Sequence, residues 1–94
     1  MLKHLVLTKF VHPETEAAEA SRRLLALQSR IPEIVSMETH FDILHSDRSY
    51  DLILIATFRT MEDFLVYADH PEHVEVKKYI AAHRTGSVTM DYEI

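Results

Sequence analysis

From Leu2 to Phe10 the chain alternates, with Leu2, His4, Val6, Thr8 and Phe10 on one face and Lys3, Leu5, Leu7 and Lys9 on the other. This period of two predicts a strand with apolar residues on both faces. His12-Pro13 breaks the pattern, and Pro13 is suited to the first position of a helix. Glu14, Glu16 and Glu19 come early and Arg22, Arg23 and Arg30 late, which complements the helix dipole and reads as a solvated acidic start. Ala17, Ala20, Leu24, Leu27 and Ile31 form the apolar stripe of this longest helix, which Pro32 ends.

Alternation resumes over Val35 to Ile43, with one face wetter than the other, and a polar loop follows from His45 to Tyr50. Leu52 to Phe58 is nearly continuous in apolar residues, as expected of a central strand covered on both sides. Thr60 with Asp63 resembles a capping box, and Met61, Phe64, Leu65 and Ala68 then have the spacing of a buried helical face. Pro71 ends that helix near Asp69 and opens a second, with Val74, Lys77, Ile80 and Ala81 on successive turns. The only glycine, Gly86, precedes a last strand in which Val88, Met90 and Tyr92 alternate with Ser87, Thr89, Asp91 and Glu93.

The order strand, helix, strand, strand, helix, strand predicts an α+β fold: a ferredoxin-like βαββαβ domain over residues 1–94, with a four-stranded antiparallel sheet. Helices cover only one face of such a sheet. The other face, apolar in the first and third strands, predicts a homodimer in which two sheets pack face to face into an α+β barrel.

Composition narrows the classes. A chain of 94 residues buries only roughly 60 to 65% of its unfolded surface, so 47% hydrophobic residues again point to self-association. Without cysteine there is no disulfide, thiolate metal site or cysteine nucleophile. A net charge of -5 argues against nucleic acid. The basic cluster Lys77, Lys78, His83 and Arg84 reads as a solvated helix end. No apolar run is long enough for a membrane span, and Met1 to Phe10 lacks the features of a signal peptide, so the expected location is cytoplasmic.

The densest chemistry lies at Tyr67-Ala68-Asp69-His70-Pro71-Glu72-His73-Val74. A histidine exchanges a proton near neutrality if a partner holds its ring, and His73 falls in the first turn of a helix, where the dipole favours its neutral form. Tyr67 precedes the break, which is expected to fold its hydroxyl back toward the imidazole. His70 and Asp69 have an equally good reading as caps for free backbone groups. His4 is either a hydrogen-bonded core residue or a pocket wall. His70 and His73 offer metal-ligand chemistry, but Pro71 places the first outside the helix of the second, so no metal and no cofactor is predicted.

Taken together, Lys3-His4 on the first strand, Tyr67-x-x-His70-Pro71-x-His73-Val74 and the ending Val88 to Glu93 resemble the stress-responsive α/β-barrel (Dabb) family along essentially the whole chain. The resemblance implies a small ferredoxin-like subunit that dimerises into a barrel. A similar plant member is a polyketide cyclase in which a histidine is general base and a tyrosine its hydrogen-bonding partner in an intramolecular aldol condensation. By position in the motif those roles fall on His73 and Tyr67, with His4 at the matching place on the first strand. The expected site is therefore His73 and Tyr67 as catalytic residues and His4, Phe64 and His70 as ligand contacts, for a small organic carbonyl or phenolic ligand. A non-catalytic stress-associated binding or assembly protein is the alternative.

Overall fold

The computed structural model describes residues 1–94. The alternating N-terminal segment is strand β1, Leu2–Phe10, and helix α1 follows at Pro13–Leu25 with Pro13 in its first turn. Strands β2, Ile34–Phe41, and β3, Leu52–Phe58, come next. Helices α2, Met61–Asp69, and α3, Pro71–His83, then lead into β4, Arg84–Glu93. All strand pairs are antiparallel in the spatial order β2-β3-β1-β4, which is the ferredoxin-like arrangement.

Period-two alternation sorts the sheet as expected. Leu2 and Phe10 of β1 and Leu52, Leu54, Ala56 and Phe58 of β3 are buried beneath the helices, with Ala17, Ala20 and Leu24 of α1 packed into the same core. The opposite face brings Leu5 between Ile55 and Met90 and Leu7 between Ile53 and Val88. On that face Val88, Met90 and Tyr92 are exposed. A contiguous apolar sheet face is thus left open in the single chain.

Several local expectations change. The first helix does not run to Ile31: α1 stops at Leu25 and tightens into a 3-10 turn at Ala26–Ser29, and α3 equals it at 13 residues. Leu27 and Ile31 are still fully buried, because the tighter winding turns both toward the sheet. In β2 the register shifts between Ile34 and Ser36, so Ile34 and Met37 share the core despite their odd spacing. Ile43 lies past the end of β2 and is 91% exposed. The apolar stripe of α2 is rotated from the expected one. Met61 and Leu65 are exposed, whereas Tyr67 is buried and Phe64 packs at the core edge. Phe58 explains the rotation, since its ring meets Phe64 at 5.5 Å and Tyr67 at 5.0 Å between centroids.

The acidic start of α1 is not wholly solvated. Glu16 is buried; it accepts the His12 N–H at 2.5 Å and pairs with His83 Nδ1 at 2.5 Å. The His12 amide and then His83, working against desolvation, hold its carboxyl below the ordinary range. Arg23 lies over the Tyr79 ring at 4.1 Å. These contacts fasten α3 along α1 and so fix the helix that carries His73.

Candidate active site

The break between α2 and α3 is built by capping. Thr60 Oγ1 accepts the Asp63 N–H at 3.1 Å and starts α2. At the other end His70 has extended angles, φ -64 and ψ 134, as a residue before proline should. Its Nδ1 accepts the Glu72 N–H at 3.1 Å, making it the N-cap of α3.

One turn into α3, His73 Nδ1 meets the main-chain oxygens of Tyr67 at 3.0 Å and Ala68 at 3.2 Å. Carbonyl oxygens only accept, so Nδ1 carries the proton and the lone pair of the neutral ring is on Nε2. Lys77, one turn further, donates to the same Ala68 oxygen at 2.9 Å. The His73 imidazole stacks on the Tyr67 ring with centroids 4.0 Å apart and planes 19° apart. Burial, opposed by the carbonyl contacts and reinforced by Lys77, brings the His73 pKa down from 6.5 to about 4. Burial also raises that of Tyr67, which keeps its hydroxyl protonated.

From the sheet side, His4 Nδ1 pairs with Asp91 Oδ1 at 2.5 Å, its direct partner across β1 and β4. The His4 ring packs on Phe64 at 4.8 Å and lies 6.5 Å from Tyr67. A cavity of about 310 Å³ opens between β1, β4 and α3. His4, Val6 and Thr89 line it from the sheet, Tyr67, His73, Lys77 and Ile80 from the helices, and Arg84 where α3 passes into β4. Its size and mostly apolar walls with a few convergent polar groups are those of a small-molecule pocket.

The structure therefore brings His4, Tyr67 and His73 to one cavity and leaves two other expected contacts outside it. Phe64 supports His4 from behind, and His70 is a cap. Another correction concerns Tyr67: its hydroxyl is buried without any hydrogen-bond partner, so the residue touches His73 through its ring face and its main-chain oxygen. His70 and His73 do not converge, and no group of three or more metal-ligating side chains comes together. Lys77 and Arg84, exposed as expected of a solvated helix end, also border the cavity. The i, i+4 spacing of His73 and Lys77 was the available signal.

The stress-responsive A/B barrel domain family model matches residues 2–94. A search of curated proteins finds no match. Among solved structures, a dimeric ferredoxin-like protein of unknown function from Bacteroides fragilis is 25% identical, with a TM-score of 0.88, covering 99% of this chain and 95% of the other. A dimeric ferredoxin-like protein from Thermobifida fusca is 23% identical with a TM-score of 0.85, covering 99% and 90%. Hydroxynitrile lyase from Passiflora edulis is 18% identical with a TM-score of 0.86, covering 99% and 92%. The dimeric neighbours support the self-association that the apolar outer face predicts, and no helix is long and apolar enough to cross a membrane. By its match over nearly the whole chain, the protein belongs to the stress-responsive A/B barrel domain (Dabb) family.

Proposed function

We propose that two copies pack through their outer sheet faces and that each binds a small organic carbonyl or phenolic compound in the cavity of about 310 Å³. The reaction this site supports best is cofactor-independent proton abstraction next to a carbonyl, in a cyclase or lyase, with His73 as base. The observation that carries this reading is the clamped imidazole. Two main-chain oxygens hold Nδ1–H, which leaves the basic Nε2 free on a cavity-lining residue.

In this mechanism Nε2 takes the proton and negative charge develops on the carbonyl oxygen. The Lys77 ammonium on the cavity wall stabilises that charge by its positive field, and the Tyr67 ring, its hydroxyl buried, holds the imidazole in place by stacking. His4, held by Asp91, forms the opposite wall. That the hydroxynitrile lyase has the same fold makes a lyase compatible with it, while the chemistry rests on this chain's own residues.

One observation favours a second reading, a non-catalytic binding protein. A pKa of about 4 makes free His73 a weaker base than neutral-pH catalysis prefers. A thermal-shift screen of small ketones and phenols identifies a ligand, since binding to the native state raises its apparent stability. Turnover of that ligand should then disappear in His73→Gln while sizing still reports a dimer. Unchanged turnover removes His73 as the base, and binding without turnover in the unaltered protein favours the second reading.

A further inference from the structure

We propose that the cavity is built for an organic acid, whose carboxylate is held by Lys77 and Arg84 while its apolar body lies against Leu24, Leu54 and Ile80. This rests on the cavity being the ligand site and adds the charge of the ligand to that reading.

The chain is acidic, with 15 Asp and Glu against 10 Lys and Arg, yet the cavity wall holds two cations and no carboxylate. Asp91, the nearest acid along the β4 wall, is engaged by His4. Of the ten Lys and Arg, Arg22, Arg23, Arg30 and Lys78 meet a carboxylate, while Lys3, Lys9, Arg48 and Arg59 do not. Arg84 meets none. Lys77 reaches only the Ala68 carbonyl, which uses one of its three donors. Both cations are exposed at the edge of the cavity, where they leave its mouth positive, and the fork of an arginine suits a carboxylate in particular.

Spacing gives the ligand a direction. His73 and Lys77 are a turn apart on α3, about 6 Å along its axis, and Arg84 follows where the helix ends. Thr8 and Ser87, paired across β1 and β4, add hydroxyls to the wall. Lys77 Nζ shares the Ala68 oxygen with His73 Nδ1, so a carboxylate on Arg84, on the side of Lys77 that faces it, leaves the far end of the ligand beside His73.

The test compares para-acetylbenzoate with its uncharged methyl ester, titrated into the intact protein and followed by amide chemical shifts. The acid should bind roughly tenfold tighter, and added salt should erode the difference. In Lys77→Met/Arg84→Met the difference between acid and ester should vanish. An ester that binds as tightly as the acid in the unaltered protein, a preference that survives in the double variant, or saturation by neither compound overturns the proposal. Deuterium exchange into the acetyl group separates this from the base assignment. Acid preference without His73-dependent exchange keeps the anion site and removes the base. Exchange without acid preference does the reverse.

Discussion

The His73 imidazole lies flat against the Tyr67 ring, 4.0 Å between centroids, while the Tyr67 hydroxyl has no hydrogen-bond partner. A buried polar group left unpaired costs about 1–3 kcal/mol. Tyr67→Phe keeps the stacked ring and removes that penalty. It should be more stable to urea by up to about 1 kcal/mol, or unchanged, and any turnover should persist because the ring that holds His73 remains. Urea melts at matched protein concentration check this, and a clear loss of stability would mean that the hydroxyl already has a structural partner.

The environment of His73 predicts the direction of an acid effect. Its pKa is about 4 in the folded chain and about 6.5 when unfolded, so between these values the unfolded chain binds the extra proton. Stability contributed by the neutral imidazole is complete above pH 6.5 and is lost as pH falls toward 4. His73→Gln should flatten this part of the profile. Imidazole chemical shifts recorded against pH measure the titration itself.

Glu16 adds a separate acid limb. Its carboxyl is held below its usual 4.5 by the His12 amide and His83, so its contribution is present above 4.5 and lost as pH falls below it. Glu16→Ala should lower the melting temperature at neutral pH and loosen the end of α3, seen as faster amide exchange near His83.

On the outer face of the sheet, Met90 is 63% exposed in the single chain and pairs with Leu5 of β1. If this face joins two copies, Met90→Asp puts unpaired charges into the interface and should yield monomers by sizing at micromolar concentration with its secondary structure retained. A variant that stays dimeric would place the interface elsewhere.

How legible each part was in the sequence follows from what fixes it. Period two placed the faces of β1 and β3 correctly because both strands are covered in a regular way. The face of α2 was misplaced because Met61 and Leu65 fit an apolar helical spacing as well as Phe64 and Tyr67 do. Only Phe58, contributed by β3, decides between them. The Tyr67 to His73 segment was legible as a break with two aromatic groups beside it. Its stacking was not, since the proline turn could have aimed either the hydroxyl or the ring face at His73. Lys77 and Arg84 are solvent-facing as their place at a helix end implies, and the cavity beside them is not legible because a helix-end charge looks the same in sequence with or without one.

Nε2 of His73 is the group proposed to remove a proton from a carbonyl compound bound in the cavity. The most direct measurement is the rate of deuterium incorporation next to the carbonyl of a bound small ketone in D2O, for the unaltered protein and His73→Gln, both verified as folded. Exchange should run well above the buffer rate, saturate with ketone and return to the buffer rate in the variant. Equal exchange in the two proteins, or none above buffer with a ketone shown to occupy the cavity, would contradict this role of His73.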